Sequence, residues 1–285
     1  LARSGFGVQA LRTLFGRADG ISRPQVHLMQ PYDPNKRTIV MLHGLASSPE
    51  AWINVANELM GDEQLRRRYQ IWQVYYPSNA PLAANNVAGG VLARLMVSDA
   101  SNTLLDAITE EYNLKGKKAE KVRAGLAPYL NFTAMPQVNR AIFIAAPHRG
   151  TSFANHKVAR WIANLVTLPI TMLDQLSDAA GSLAQLDTGS SEPLRIPNSI
   201  DNLSDKDPFV RLVADLPISP NVRYYSIMGN DTPDLPLAES SDGVVPYASA
   251  HLDGAQSEKV IPSWHSVQES PQAILEIRRI LRMPD

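Results

Sequence analysis

Residues 38–49 read TIVMLHGLASSP, and this stretch decides the fold class. Its first five residues form a continuous apolar run rich in β-branched side chains, which predicts a parallel strand buried on both faces. His43 and Gly44 end the strand, while Ser48 and Pro49 predict the N-cap and first position of a helix. Apolar residues then recur at helical spacing, at Trp52, Val55, Ala56 and Leu59. A strand that leads directly into a helix predicts an α/β architecture.

The rest of the chain alternates between strand and helix patterns in the same way. Strands are predicted at residues 26–29, 70–76, 141–145, 222–228 and 259–261, and helices at residues 91–96 and from Pro271 onward. Ser270 would cap that last helix. We therefore predict one α/β domain over residues 1–285, with a mostly parallel sheet covered by helices on both faces.

Residues 151–220 have a mostly helical pattern interrupted by prolines, and they lie between two predicted strands. We predict that they form a helical cap or lid inserted in the domain. Their apolar side chains could line an acyl pocket, although packing onto the body is the commoner use of such faces. These side chains are Trp161, Ile162, Leu165, Leu168, Met172 and Leu173.

Composition excludes several classes of function. The formal net charge is -1, from 27 basic and 28 acidic residues, so no nucleic-acid partner is expected. The chain has no cysteine, which excludes disulfides, thiolate metal sites and a cysteine nucleophile. No apolar run reaches the ~18 residues of a membrane span. No cofactor or metal is expected, and the sequence leaves the oligomeric state open.

The first residue is Leu1 and not Met. A removed signal peptide would explain this, and so would a truncation of the chain. The observation favours a secreted or periplasmic location over a cytoplasmic one and does not decide between them.

Candidate catalytic residues follow the predicted strands, where an open α/β sheet gathers its site. His43-Gly44 follows the strand at 38–42, Asp242 lies in the loop after the strand at 222–228, and His265 lies just past the last strand. Each has an ordinary alternative. His43-Gly44 can be a plain strand-to-helix turn, Asp242 an Asx-type turn before Gly243, and His265 a surface histidine.

Together these segments resemble α/β-hydrolases of the bacterial lipase/carboxylesterase kind, from about Val26 to Leu281. The resemblance lies in the His-Gly pair, the SDGVVP segment at 241–246, the PHRG segment at 147–150 and the histidine before the last helix. It implies a Ser-His-Asp triad in which His265 is the general base and Asp242 its orienting acid, with Leu45 N–H an oxyanion-hole donor. Gly44 would let the backbone turn tightly there.

The resemblance makes Asp231 and Asp234 the fallback acids, because they lie nearer the strand end. It gives the segment around His148 a role in shaping the site floor or hinging the cap, with no catalytic step.

The chain departs from this family at its signature. No G-x-S-x-G occurs, although residues 89–97, GGVLARLMV, look like the continuation of a nucleophile turn, and Val87 stands in the serine position. Only residues 77–88 separate Tyr76 from Gly89. A crossover of about a dozen residues and a strand of ~5 more do not fit there, a shortfall of about 30 residues in all.

Three explanations remain open. A segment of the natural protein is absent from this sequence, or the protein carries a true internal deletion and is inactive, or another serine serves. We favour the first, because loss of a central strand costs more than the ~5–15 kcal/mol stability of a domain. The other serines, Ser47, Ser48, Ser78, Ser98 and Ser152, lack the strand–turn–helix context.

Two functions follow as hypotheses. The first is a serine-dependent carboxylic ester hydrolase acting on a small-molecule or lipid ester, and the second is an inactive α/β-hydrolase-like protein that binds a ligand or partner. The structure should show a discontinuity between Val87 and Gly89. Either an additional strand lies between the strands of Ile71 and Ile142, which supports the enzyme, or the sheet closes without it, which supports the binding protein.

Overall fold

The computed structural model describes residues 25–44, 47–76, 89–111, 113–151 and 204–284. The strands in these ranges are β1 (Gln25–Leu28), β2 (Arg37–Leu42), β3 (Tyr69–Tyr75), β4 (Arg140–Ile144), β5 (Arg223–Asn230) and β6 (Ser257–Pro262). The α-helices are α1 (Ile53–Gly61), α2 (Glu63–Arg68), α3 (Gly89–Val97), α4 (Thr103–Glu111), α5 (Gly116–Leu130), α6 (Pro208–Asp215), α7 (Tyr247–Ala250) and α8 (Pro271–Arg282). Single 3₁₀ turns lie at Pro49–Trp52, Leu237–Glu239 and Val267–Glu269.

The strands form two three-stranded sheets. In the first, β3 lies in the middle, antiparallel to β1 and parallel to β2, with Ile71 opposite Ile39. In the second, β5 lies in the middle and is parallel to both β4 and β6, with Ile227 opposite Ile144 and Lys259. The predicted α/β class with mostly parallel strands is confirmed, because only the short β1 runs against its neighbour.

The predicted helix starts are confirmed with one refinement. Ser48 is an N-cap, but it precedes a 3₁₀ turn that leads into α1, and its side chain makes no capping hydrogen bond. Ser270 caps α8 as predicted, since its Oγ accepts the backbone N–H of Ala273 at 3.1 Å. Neither α4 nor α5 was expected from the sequence. In α5 charged residues are spread around most of the helix and Pro128 lies inside it, so the apolar stripe is weak.

Helices hold the two sheets together from both sides. On one face, α1 and α8 share a core with both sheets, in which Met41 of β2 and Ile227 of β5 belong to the same cluster. On the other face, α3 contacts both β2 and β4. The backbone N–H of Met135 donates to Met96 O, so the end of α3 lies at the chain entering β4. We infer that α3 runs antiparallel to β4 and begins at the carboxyl edge of the sheets.

An inter-sheet cavity of about 690 Å³ separates β2 from β4. All six residues of β2 and all five of β4 line it, and side chains of α1, α3 and α8 close its two faces. Among the described residues, β2 and β4 are paired with β3 and β5 and not with each other.

This cavity corrects the prediction that residues 38–42 are buried on both faces. In β2 only Met41 is buried, and Val40 keeps 43% of its surface exposed. By contrast, β3 is buried along most of its length, because strands flank both of its edges. Val40 is therefore exposed because β2 has no strand beside its cavity edge among the described residues, and not because one face of β2 is polar.

The expected discontinuity between Val87 and Gly89 lies outside the described residues, as does most of the predicted cap, at 152–203. The sequence left open whether an additional strand lies between the strands of Ile71 and Ile142 or the sheet closes without it. In the structure β3 is flanked on both sides, so the strand that faces β4 across the cavity is β2.

Candidate active site

His265 and Asp242 meet where the loops after β5 and β6 come together. The Nδ1 atom of His265 lies 2.8 Å from the Oδ2 atom of Asp242. The two side chains differ in exposure, since Asp242 is 3% exposed while His265 is 38% exposed. A buried acid thus orients the ring of a histidine that solvent or a substrate can reach.

The loop around Asp242 is built to hold its carboxylate. Oδ1 accepts the backbone N–H groups of Val244 at 2.9 Å and Val245 at 2.7 Å, which leaves Oδ2 for the histidine. Gly243 has φ +88°, in the left-handed region that favours glycine. Its N–H donates to the Oγ atom of Ser241 at 3.0 Å. Asp242 therefore makes the turn that was its ordinary alternative and faces His265 as well.

Gly229, near the end of β5, is a site residue that sequence reasoning missed. A Cβ atom there would lie 2.7 Å from the carbonyl oxygen of Ser263 and 2.9 Å from that of Trp264. It would also lie 2.9 Å from the Cβ atom of Asp242. Only glycine lets two loops approach β5 together: the loop of Asp242, called the acid loop, and the loop of His265, called the histidine loop. A glycine in an otherwise apolar strand was the available signal, since it often marks a close backbone approach.

Asp231, one of the fallback acids, supports the acid loop through its backbone. Its N–H donates to the carbonyl oxygen of Ser241 at 2.8 Å. The carboxylate on Nδ1 of His265 is that of Asp242. Asp234, the other fallback acid, is exposed in the turn that follows β5. The geometry therefore favours Asp242 over both alternatives.

His43, which directly follows β2, is buried. Its ring stacks on Tyr76 at 4.2 Å between centroids, and Nδ1 lies 3.0 Å from Gly44 O. Burial lowers the pKa of His43 to about 4, so the ring is neutral at pH 7. A Cβ atom on Gly44 would meet nothing within 4 Å, so the structure shows no steric need for glycine there. Leu45 lies outside the described residues.

The PHRG segment, which follows β4, makes hydrogen bonds to the chain in and just after α7. The guanidinium of Arg149 donates to the carbonyl oxygens of Ala248 and His251, at 3.2 and 2.8 Å. Gly150 has φ +75°, and a Cβ atom there would lie 2.7 Å from the backbone of Ser204. The segment thus packs against α7, which follows the acid loop directly.

His148 in the same segment is buried, and Phe143 meets its ring edge-on at 4.7 Å. Neither ring nitrogen has a hydrogen-bond partner among the described residues. Burial, then the nearby charges of Arg94 and Arg149, lower the pKa of His148 to about 3. A buried, neutral ring favours a structural role over proton transfer, and the role of this segment in the site floor or cap stays a prediction.

A second histidine–carboxylate pair, which the sequence analysis did not single out, lies beside α7. The Nδ1 atom of His251 is 2.6 Å from Glu258, whose other oxygen accepts the hydroxyl of Tyr247 at 2.5 Å. The hydrogen bond to Glu258 raises the pKa of His251. This pair is a natural control for the one at His265, since both join an imidazole to a carboxylate.

Two of the alternative serines are unsuited to attack a substrate. Ser48 is 6% exposed and Ser98 is fully buried. Within the described ranges no three His, Asp or Glu side chains form a group that could hold a metal ion. No helix in the same ranges is long and apolar enough to cross a membrane.

Comparisons with known proteins return structures and no sequence relatives. No protein-family profile and no curated protein sequence matches the chain. The chain is similar to Bacillus licheniformis lipase BlEst2 in mature form, at 17% identity and TM-score 0.48, over 91% of this chain and 98% of that one. A marine microorganism esterase matches at 13% identity and TM-score 0.35, over 92% and 99%. The Vlm2 thioesterase domain matches at 12% and 0.34, over 91% and 96%.

Proposed function

We propose that this chain is the body of a serine-dependent carboxylic ester hydrolase, with His265 as general base and Asp242 as its orienting acid. The observation that carries the proposal is the 2.8 Å contact between these side chains, on loops that follow neighbouring parallel strands. Catalytic groups of open α/β sheets gather at that edge. The buried, hydrogen-bonded carboxylate and the accessible imidazole are the arrangement that acyl transfer to a hydroxyl nucleophile needs.

In the proposed reaction His265 accepts and then donates a proton in each of two half-reactions. As a serine hydroxyl attacks the ester carbonyl, its proton passes to Nε2, and Asp242 stabilises the imidazolium through Nδ1–H. Nε2 then gives that proton to the departing alcohol, which leaves an acyl-enzyme. A water molecule then attacks the acyl-enzyme and gives a proton to Nε2. His265 passes that proton to the serine oxygen, and the carboxylic acid is released. Leu45 N–H is the proposed donor to the oxyanion at both stages.

The nucleophile in this proposal is a serine on a turn directly before Gly89, where this sequence has Val87 and Ala88. Two features support that position. Helix α3 begins at the carboxyl edge, as a helix after a nucleophile turn does, and it contacts both β2 and β4. The cavity between those strands has room for the strand that would lead into the turn. We therefore favour a segment of the natural protein that this sequence lacks.

The alternative is a non-catalytic protein that binds a ligand or partner. The same cavity favours it, because an apolar space bounded by two strand edges is a binding site whether or not a serine is near. The two functions are separated by the residue that precedes Gly89 in the intact coding sequence. A serine there supports the enzyme, and an unbroken coding sequence with Val87-Ala88 supports the binding protein.

The decisive experiment uses a fluorophosphonate probe, read by intact mass, on the protein encoded by the intact coding sequence. We expect one adduct on a serine just before Gly89, together with hydrolysis of a short nitrophenyl ester. His265→Ala should abolish both, with a loss of hydrolysis of about 10³-fold or more.

His251→Ala is the matched control, because it removes a histidine that also pairs with a carboxylate. It should keep labelling and hydrolysis near the level of the parent. The 285-residue chain itself should take no adduct. Labelling of this chain that depends on His265 would mean that another serine serves, and equal activity of both histidine variants would remove His265 from the mechanism.

A further inference from the structure

We propose that Trp264 binds the alcohol part of the ester, and that the substrates are esters of large, uncharged, apolar alcohols. This inference rests on the proposed function, because it assigns one side of the same site to one half of the substrate. It gives a role to a side chain that the acid–base mechanism does not use.

The chemistry of the proposed reaction decides which half of the ester lies beside His265. The Nε2 atom has to donate a proton to the oxygen of the departing alcohol, and such a transfer needs a separation of about 3 Å. The acyl half stays bonded to the serine, within reach of the oxyanion donor. The alcohol half is therefore the part of the substrate next to the histidine loop when the ester bond breaks.

Trp264 directly precedes His265, and its side chain is 63% exposed, more than any other large apolar side chain among the described residues. Consecutive Cα atoms are ~3.8 Å apart, so the indole begins beside the imidazole. The backbone here is held in place, since the N–H of Ser263 donates to the carbonyl oxygen of Asn230 at 3.2 Å and the carbonyl of Trp264 packs against Gly229. A large apolar side chain fixed at the surface beside a base is suited to bind a substrate.

Two exposed leucines lie in the loop that leads from β5 to the acid loop. Leu235 is 47% exposed and Leu237 is 43% exposed. Their loop starts after Asn230, which accepts the N–H of Ser263, so it begins beside the histidine loop. Together the two loops carry three of the nine large apolar side chains that are exposed in the described part of the chain. An apolar alcohol therefore has surface to bury at this edge.

Charge decides against an anionic alcohol. Residues 231–242 contain four carboxylates and no lysine or arginine, and residues 263–266 contain no lysine or arginine either. Three of the carboxylates are exposed, those of Asp231, Asp234 and Glu239. They repel an alcohol part that carries a phosphate or a carboxylate. The alcohol that fits these loops is therefore both apolar and uncharged.

The experiment compares acetate esters as substrates of the protein encoded by the intact coding sequence. The alcohols are ethanol and 2-(2-naphthyl)ethanol, two primary alcohols of similar basicity, so the apolar area of the alcohol is what changes. We expect kcat/KM to be about 30-fold higher for the naphthylethyl ester, because the larger alcohol removes more apolar surface from water. A carboxylate on its ring should lower kcat/KM about fivefold at low ionic strength, and salt should reduce that difference.

A matched pair of variants assigns the preference to Trp264. Trp264→Ala should lower the ratio of the two kcat/KM values about tenfold, and Trp264→Phe should restore most of it. Tyr32→Ala is the control, because Tyr32 is an aromatic side chain of similar exposure, 61%, between β1 and β2. It should keep the ratio within about twofold of the parent. Equal ratios in the two alanine variants would overturn the proposal.

A second series tests which half of the ester meets the indole. Ethyl acetate and ethyl 3-(2-naphthyl)propanoate differ by the same naphthyl group on the acyl side. Trp264→Ala should change the ratio of their kcat/KM values less than about twofold. If the variant lowers this ratio and leaves the alcohol-side ratio as it is in the parent, Trp264 binds the acyl half and the proposal is wrong.

Failure of the proposed function and failure of this inference give different results. Hydrolysis with the same alcohol-side ratio in every variant would overturn this inference alone. If the intact protein hydrolyses no ester, the proposed function fails, and binding of 2-(2-naphthyl)ethanol to the 285-residue chain decides whether Trp264 binds such a ligand. Naphthalene fluorescence anisotropy should then give a Kd on the order of 1 mM, weakened about tenfold by Trp264→Ala and not by Tyr32→Ala. Absence of binding, or equal binding by both variants, would overturn the inference.

Discussion

The loops that carry Asp242 and His265 differ from the inter-sheet cavity in how completely their polar and apolar groups are packed and hydrogen-bonded. At the loops, both oxygens of Asp242 have partners and the glycine beneath them leaves no spare room. At the cavity, Val40 is half exposed and two indole N–H groups lack acceptors in the described residues. The loops of Asp242 and His265 are therefore the complete half of the proposed site, whereas the cavity, where a strand carrying a nucleophile would lie, is its open half.

The difference shows that the two halves depend on different parts of the sequence. The acid–base pair needs only β5, β6 and the loops that follow them, which are continuous along the chain. The nucleophile would need a strand between β2 and β4, and no described residue occupies that place. The proposed acid–base pair can thus form without the segment that would carry the nucleophile.

The largest effect is expected from a substitution of Asp242, in the complete half of the proposed site. In the intact protein, Asp242→Asn should lower the rate of ester hydrolysis on the order of 10³-fold while leaving the melting temperature nearly unchanged. The amide keeps the size of the side chain but no longer stabilises the protonated ring of His265. Asp231→Asn is the control and should change the rate less than about threefold, because Asp231 supports the loop through its backbone. A silent Asp242→Asn beside a damaging Asp231→Asn would reassign the acid.

A smaller effect is expected at the glycine beneath the pair. Gly229→Ala places a methyl group 2.7 Å from the carbonyl oxygen of Ser263, so the histidine loop must move. We expect about a 10²-fold loss of hydrolysis, since small displacements of catalytic groups are costly, and a loss of about 1–3 kcal/mol in stability. Gly61→Ala is the control, because a Cβ atom there meets nothing within 4 Å. Full activity of Gly229→Ala would show that the loops adapt and are not fixed by β5.

Much of the complete half could be predicted from the sequence. His265 and Asp242 follow strands whose apolar runs are unambiguous, and the carboxyl ends of parallel strands must share one edge. The contact of the two loops with Gly229 could not be predicted, because it depends on how far each loop turns back over β5. The same holds for His251 and Glu258, which come together only through the path of the chain around α7.

The open half was predicted as an absence and placed beside the wrong strand. Counting residues between Tyr76 and Gly89 predicts that a strand is lacking, which stays a prediction, but the strand that faces β4 across the cavity is β2 and not β3. Strand order in a sheet depends on crossovers and not on sequence order, so the count alone could not decide it. The apolar run at 38–42 likewise predicted full burial, since its composition suits a central strand whether or not both neighbours are present.

The pH dependence of stability tests two buried histidines, His43 after β2 and His148 after β4. The pKa values of His43 and His148 are lowered to about 4 and about 3, so below pH 6.5 the unfolded chain binds protons that the folded chain excludes. Their contribution is present above pH 6.5 and is lost as the pH falls towards 4. Between pH 7 and 5, each should cost about 2 kcal/mol of unfolding free energy.

His148→Phe should reduce that fall by about half, because phenylalanine keeps the packing against Phe143 and does not titrate. Urea unfolding of parent and variant at pH 7, 6 and 5 measures the change. The pKa of His251 is raised, so its contribution is present below pH 6.5 and is lost as the pH rises through the folded pKa, opposite in sign. His251→Phe should therefore steepen the fall towards acid, and an identical profile for all three proteins would mean that His148 is not buried, and His251 not paired with Glu258, in solution as they are here.

The smallest expected effect compares the same substitution in the two regions. Val245 is 3% exposed in the acid loop and Val40 is 43% exposed at the cavity. Val245→Thr buries a hydroxyl and should cost about 1–3 kcal/mol of unfolding free energy, whereas Val40→Thr should cost less than about 0.5 kcal/mol. Urea unfolding of the two variants and the parent measures both costs. A large cost of Val40→Thr would mean that β2 is already covered in solution and that the two regions are alike.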